Sequence, residues 1–293
     1  METSTVLRGM TRDGSARVLV INSKKMINTM IGFHHPSSTA SAALGRLLTA
    51  TSMIASLMGE KRDSITIGVN GEGVLGRLLA VGDYYGNVRG YVEHPEADVP
   101  RKPNGKLDVG SAVGGGFLYV VRDTGEGQPQ SGTVALRSGE IAEDIAAYFA
   151  ESEQIPTLCA LGVLMEGGTC IAAGGVLIQL LPFADSSVVD RLEENAGNLT
   201  ALSDLFRAGK TLEEIVAIAL EGIEYDLFDT IDVDYVCDCS RERMKKNMKK
   251  LGRKTLKELL DAQEAEGKAR SLEAVCRFCN TGYTFTEGEL LME

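Results

Sequence analysis

The sequence predicts an α/β protein in three parts. A mixed sheet-and-helix domain is expected over residues 1–182, a helical and conditionally folded acidic linker over 183–236, and a small four-cysteine domain over 237–293. Three observations carry this. Short alternating apolar runs separated by glycine-containing turns, such as Ser64–Val69, Gly116–Val121 and Gly132–Leu136, read as strands of a largely antiparallel sheet. Two stretches between them, 37–57 and 139–153, carry helical spacing instead. After Pro182 the strand pattern gives way to helices, then to an acid-rich stretch, and then to four cysteines in two close pairs.

Taken in order, Ala16–Ile21 is the clearest early strand, and Asn22-Ser23 turns into a short helix. Ser37-Ser38-Thr39 offers caps for a helix through Ala42, Leu44, Leu47, Leu48, Met53 and Leu57. That helix is apolar over much of its surface, which places it at the centre of packing. Strands follow at Ser64–Val69, Val74–Val81 and Tyr84–Val92, and a proline-containing loop covers 95–106. Gly114-Gly115-Gly116 is not followed by Gly-Lys-Ser/Thr, so it reads as tight-turn backbone, not a phosphate loop. In the helix 139–153, Ile141, Ile145, Tyr148 and Phe149 share a face. Thr157–Leu164 and Cys170–Leu181 form a strand pair around Glu166-Gly167-Gly168. Cys159 and Cys170 are expected to face each other across that ladder as buried, inert thiols.

Beyond Pro182, residues 188–199 and 202–206 are helical, and Thr211 with Glu214 forms a capping box for Leu212–Leu220. Residues 221–238 are acid-rich, with Ile223, Leu227, Phe228 and Ile231 as the apolar groups available for docking on the body. A basic helix is expected over Ser240–Leu251, with Met244, Met248 and Leu251 inward. A second capping box at Thr255 and Glu258 opens a helix through Leu259 and Leu260.

Cys237-Asp238-Cys239 and Cys276-Arg277-Phe278-Cys279 are separated by 36 residues. Each pair can place two sulfurs on one tetrahedral ion, and soft thiolates select zinc over calcium or magnesium. Four protein sulfurs leave no open coordination position, so the site reads as structural. Four buried free thiols or an iron–sulfur cluster are the alternatives that spacing leaves open. The same spacing lets Cys237 bridge Cys239, and Cys276 bridge Cys279, where the backbone turns. A zinc site that becomes two local disulfides would be a switch, because losing the ion removes folding energy from a small module.

Composition narrows the function. The chain has 293 residues, 44% of them hydrophobic, and a formal net charge of −11, which disfavours a general nucleic-acid or anionic-membrane binder. The basic run from Arg241 to Lys257 keeps a nucleic-acid or protein adaptor open as an alternative. Met1-Glu2-Thr3-Ser4 lacks a secretory pattern, and the apolar run Ile171–Leu181 is too short and too broken to span a bilayer, so a cytoplasmic location is expected. His34, His35 and His94 form no catalytic pattern, and neither Gly-x-Ser-x-Gly nor HExxH occurs, so no enzyme activity is expected. A dithiol oxidoreductase on Cys276 and Cys279 is the remaining enzymatic alternative. It would need a helix after the motif, whereas Asn280–Phe285 reads as turn and strand.

Motifs along nearly the whole chain resemble the redox-regulated 33 kDa heat-shock chaperonin family. In the tail these are Cys237-Asp238-Cys239-Ser240-Arg241-Glu242-Arg243, Cys276-Arg277-Phe278-Cys279-Asn280 and Tyr283-x-Phe285. In the body they are His35-Pro36-Ser37, Ala43-Leu44-Gly45-Arg46, Val88-Arg89-Gly90-Tyr91, Gly139–Asp144, Tyr148-Phe149-x-x-Ser152-Glu153-Gln154 and Gly174-Gly175-x-x-Ile178-Gln179. The resemblance implies a cytoplasmic, ATP-independent holdase that keeps unfolding proteins from aggregating under oxidative and heat stress. It implies one zinc ion per chain in the reduced, weakly active state, held by Cys237, Cys239, Cys276 and Cys279. It implies the disulfides Cys237–Cys239 and Cys276–Cys279 on oxidation, with zinc loss, tail unfolding, linker loosening, homodimer formation and hand-over of clients to ATP-dependent chaperones. Cys159, Cys170 and the lysine-rich run 241–257 depart from the simplest family pattern.

Overall fold

The computed structural model describes residues 3–292. It divides into two compact units, one ending at Val236 and one beginning at Cys237. The first is built on two five-stranded antiparallel sheets. One sheet comprises β1 (Ser4–Thr11), β2 (Ala16–Asn22), β8 (Thr157–Glu166), β9 (Thr169–Leu180) and β10 (Tyr225–Val233), in the order β10-β1-β2-β9-β8. The other comprises β3 (Ser64–Gly71), β4 (Arg77–Asp83), β5 (Val88–Val92), β6 (Gly116–Asp123) and β7 (Gln130–Ala135), in the order β5-β4-β3-β6-β7.

Helix α2 (Ser38–Ala55) packs against strands of both sheets. The Ser37 hydroxyl accepts the Ala40 N–H at 3.1 Å, which opens the helix where the serine run predicts. From Thr39 to Ala55 every residue except Arg46 is buried, so the helix has no solvent face to make polar. Helix α1 (Lys24–His34) precedes it, burying Met26, Ile27 and Met30.

The β1-β2-β9-β8 region is apolar on both faces. Leu19, Ile21 and Leu177 point to the α2 core, whereas Leu7, Val18, Val20, Val176 and Ile178 point outward. Helices α5 (Ser186–Ala196), α6 (Leu202–Arg207) and α7 (Leu212–Ala219) cover that outer face with Leu192, Leu202, Ile215, Val216 and Ala219. Two glycines make the fit possible. A Cβ on Gly174 would meet the Phe206 ring at 2.2 Å, and one on Gly162 would meet the Ser203 nitrogen at 2.7 Å. Without side chains there, α6 lies directly on the strands.

Several expectations are corrected. The acid-rich stretch after residue 221 contains edge strand β10, paired to β1. Carboxylates on and beside it face cations on and beside β1: Arg8 Nε donates to Asp229 at 2.8 Å, and Arg12 Nη1 to Glu224 at 2.9 Å. Ile223 and Ile231 pack against the body, but Leu227 and Phe228 stay exposed. A short helix α3 (Val109–Val113) precedes the triple glycine. The helix expected over 139–153 starts at Ala142, after a turn tied to the buried Asp144 carboxylate, which accepts the Arg137 and Ile141 N–H groups at 2.7 and 2.9 Å. This is α4 (Ala142–Tyr148), and it runs on into a π-helical turn, Phe149–Glu153. Strand β4 starts at Arg77, not Val74, and β5 at Val88, with Tyr84 and Tyr85 in the turn before it. Cys159 and Cys170 do not face each other: the register sets Cys159 opposite Leu177 and Cys170 opposite Met165. At about 3.3 Å per residue they lie roughly 20 Å apart along the ladder.

Candidate metal centre

The second unit holds α8 (Arg241–Lys249), α9 (Arg253–Ala265), β11 (Ser271–Val275), β12 (Gly282–Thr286) and α10 (Glu287–Leu291). Strands β11 and β12 pair from Ser271–Thr286 to Val275–Gly282, so Cys276–Thr281 forms the hairpin loop. The Cys276 N–H donates to the Thr281 carbonyl at 3.0 Å, and the Asn280 N–H to the Cys276 carbonyl at 2.8 Å. Asn280 takes the left-handed conformation that closes the turn, at φ 54°. This knuckle turns both sulfurs of the second pair inward.

The first pair arrives on the extended chain before α8. The Ser240 hydroxyl caps that helix through the Arg243 N–H at 3.2 Å, and Arg243 pairs with Asp238 between the two cysteines. Arg241 reaches back to the hairpin, donating to the Thr284 carbonyl at 2.8 Å and to Glu289 at 2.7 Å. Its guanidinium lies 4.7 Å from the centroid of the buried Phe285 ring. The basic helix thus spends these cations on its own module. Leu256, Leu260, Leu272, Phe285 and Leu290 form a small buried cluster here, with Met244 and Met248 against it and Leu251 exposed. Helix α9 opens at Gly252 rather than at the expected Thr255, because Gly252 supplies the positive φ of 84° at the preceding turn. So small a core gives limited folding energy without a further cross-link.

The structure brings together all four sulfurs that the sequence singles out. Those of Cys237, Cys239, Cys276 and Cys279 lie within 4.8 Å of one another. The Cys237 and Cys276 sulfurs are 3.6 Å apart, and those of Cys239 and Cys279 3.4 Å. A tetrahedral ion with sulfurs at about 2.3 Å needs sulfur–sulfur edges of about 3.8 Å. A disulfide needs about 2.05 Å. The set therefore fits one tetrahedral ion and four unbridged cysteines, and it leaves no room for the inorganic sulfides of an iron–sulfur cluster. Cys159 and Cys170 stand apart in the first unit, where burial pushes each thiol up to about 12.

Two hydroxyls that sequence reasoning leaves unassigned touch the cluster. Tyr283 Oη is 3.2 Å from the Cys239 sulfur, and Thr281 Oγ1 is 3.2 Å from the Cys279 sulfur. The Cys239 contact raises the Tyr283 phenol to about 12, so it stays protonated and donates. Burial raises the Cys237 and Cys239 thiols. Burial also opposes ionisation of Cys279, yet the Thr281 hydroxyl and backbone and the neighbouring thiols bring it down to about 7. The Thr281 hydroxyl thus favours the thiolate form of Cys279, and thiolate is the form that binds a soft cation. The Thr281 contact is local, two residues after Cys279, whereas Tyr283 reaches Cys239 across 44 residues and only through the hairpin.

A two-sheet body with a buried central helix, followed by a module clustered around four thiols, defines a class of protein whose thiol chemistry sits in its tail. The chain belongs to the family whose model is described as Hsp33 protein, which matches residues 4–286. It is 40% identical over 287 residues to the 33 kDa chaperonin of Clostridioides difficile, covering 98% of this chain and 97% of that one. It is 41% identical over 289 residues to the 33 kDa chaperonin of Alkaliphilus oremlandii, covering 98% and 95%. The crystal structure of the 33 kDa chaperonin from Thermotoga maritima superposes with a TM-score of 0.90 at 32% identity, covering 99% of this chain and 97% of that one. The relatives are named as chaperonins, which is not an enzymatic role. Among the described residues, no helix is long and apolar enough to cross a membrane.

Proposed function

We propose that this chaperone is an ATP-independent holdase, silent when its four cysteines are reduced and metal-bound, and switched on by their oxidation. The observation that carries this is the sulfur cluster itself. Its four members come from two short pairs, each able to close on itself, yet close contacts run between the pairs, from Cys237 to Cys276 and from Cys239 to Cys279. Cys237, Cys239, Cys276 and Cys279 are assigned as ligands of one zinc ion, a thiolate-rich tetrahedral site being what zinc prefers. When bound, zinc would supply the cross-link that ties the hairpin to the chain before α8.

Oxidation then competes with metal binding for the same sulfurs. Each pair of thiolates gives up two electrons to an oxidant such as peroxide or hypochlorite and forms one sulfur–sulfur bond. The four cysteines thereby become Cys237–Cys239 and Cys276–Cys279, with two equivalents of oxidant reduced. Disulfide sulfurs no longer serve as thiolate ligands, and a module with so small a core loses its main constraint.

The surface offered to clients is assigned to the outer face of the first sheet. Leu7, Val18, Val20, Val176 and Ile178 form a continuous apolar field covered by α5–α7 and the turns that follow them, through Leu199, Leu220 and Ile223. Residues 183–236 are the regulatory segment. Within β10 five consecutive residues, from Asp226 to Thr230, are exposed, whereas Val233 and Tyr235 nearer the tail are buried in the body. Lifting this segment converts a covered field into a binding surface for unfolding chains. Homodimer formation by the active state, hand-over to ATP-dependent chaperones on reduction, and a cytoplasmic location complete the proposal.

Heat-driven aggregation of citrate synthase tests it. The oxidised, metal-free protein should suppress light scattering, and the reduced, zinc-loaded protein should not; equal suppression by both removes the switch. The oxidoreductase reading is disfavoured because Cys276 and Cys279 sit in a hairpin loop rather than at a helix start.

A further inference from the structure

At the seam where the two sheets of the first unit meet, polar residues line a cavity of about 150 Å³ that the thiol chemistry does not use. Arg17 enters from β2, with its register partner Gln179 from β9, and Arg122 enters from β6. Ile54, Leu57 and Phe149 supply part of the apolar wall. Gln179 is fully buried, and its Oε1 accepts both Arg17 Nε and Nη2, at 2.9 and 2.7 Å. The Gln179 amide donates onward to Thr157 Oγ1 at 3.2 Å. Arg122 Nη2 faces Glu153 at 3.0 Å, and the Tyr148 hydroxyl already donates to that same carboxylate oxygen at 2.8 Å. Arg122 Nε is buried with no acceptor.

Charge does not balance here. Two guanidiniums, which stay protonated in proteins, share the cavity with one carboxylate. Arg17 is held by a neutral amide, and burial together with the like charge of Arg122 works against its cationic form. A half-buried cation matched only by a neutral amide and a buried N–H without a partner are both costly, and one group relieves both: an anion with several acceptor oxygens. The space holds a compact oxyanion with a few waters, and the apolar wall offers nothing to a larger polar ligand.

We infer that this seam is a binding site for a small tetrahedral oxyanion such as inorganic phosphate, held by Arg17 and Arg122. Such an anion bridges the two sheets. It also fixes the end of β9, which runs through Pro182 into the covering helices.

The test is thermal unfolding of the full reduced, zinc-loaded chain in sodium phosphate against sodium chloride at equal ionic strength. Phosphate should raise Tm saturably, by on the order of 5 °C at about 100 times its Kd. Arg17→Gln and Arg122→Gln should abolish the response. Gln179→Glu, which puts a carboxylate into the cavity, should fold without phosphate and no longer respond to it. That variant keeps the test decisive if an arginine variant fails to fold. Saturable broadening of the phosphate ³¹P resonance by the wild-type chain, absent with Gln179→Glu, is the second readout. The same Tm in phosphate and chloride, or an undiminished response in the variants, overturns the inference.

Discussion

Ile215→Ala separates the role of the covering helices from the chemistry of the tail. Ile215 has no exposed surface and sits on α7 against the outer face of the first sheet. Truncating a buried isoleucine to alanine costs about 2–5 kcal/mol, counting lost transfer energy and the cavity left behind. The loss falls on α5–α7, because the strands beneath are also held from their other side by the α2 core. A loss of about 3 kcal/mol multiplies the undocked population roughly 150-fold, at a factor of ten per about 1.4 kcal/mol. Hydrogen exchange should therefore speed up across residues 186–220 while α2 keeps its protection. The reduced, metal-loaded variant should suppress citrate synthase aggregation without any oxidant. If exchange rises there but suppression does not, the outer face is not the client surface. If exchange does not rise, the packing energy assigned to Ile215 is wrong.

Other perturbations have defined outcomes. Gly162→Ala puts a methyl 2.7 Å from the Ser203 nitrogen and should lift α6, giving the reduced protein a smaller gain of the same activity in the same scattering assay. Cys239→Ser should weaken zinc binding by more than about 100-fold, since loss of an outer-shell partner alone costs about 10–100-fold; competition with a chromogenic chelator reads this. In reduced, chelator-treated protein at pH 8, the four tail cysteines should alkylate rapidly, because the metal-free tail loses the packing that raises Cys237 and Cys239, and all six should do so in denaturant. The slow pair is Cys159 and Cys170: thiolate is the reactive form, and thiols pushed up to about 12 are only about one part in ten thousand ionised at pH 8. Their raised values also set a sign for stability. The unfolded chain ionises these thiols first, so their contribution is full below about pH 8.5 and is lost as pH rises toward 12; alkaline denaturation should shift to higher pH in Cys170→Ala if the cavity is tolerated.

What the sequence makes legible follows from where side chains are forced to be. The α2 helix and strand β2 are plain because burial on every side leaves long apolar runs with a serine cap at Ser37. The thiol set is plain because chelating pairs are close in sequence. Strand β10 is hidden because an edge strand held by cross-strand ion pairs to Arg8 and Arg12 has no apolar alternation to show. The relation of Cys159 to Cys170 is hidden because the register follows from a two-residue turn and a bulge near Met165, which hydropathy does not encode. Tyr283 and Thr281 are visible as residues, but their contact with sulfur depends on the hairpin that folds them back. Arg17 and Arg122 lie 105 residues apart in sequence and meet only when the two sheets close on one seam.

The most direct measurement follows metal content, free thiols and disulfide linkage in one sample as the reduced protein is titrated with peroxide under mild unfolding stress. We expect one zinc ion per chain at the start, four thiols lost, the ion lost with them, and peptides joined as Cys237–Cys239 and Cys276–Cys279. A reduced protein without the ion, or one that keeps it after those four thiols have been consumed, would contradict the switch.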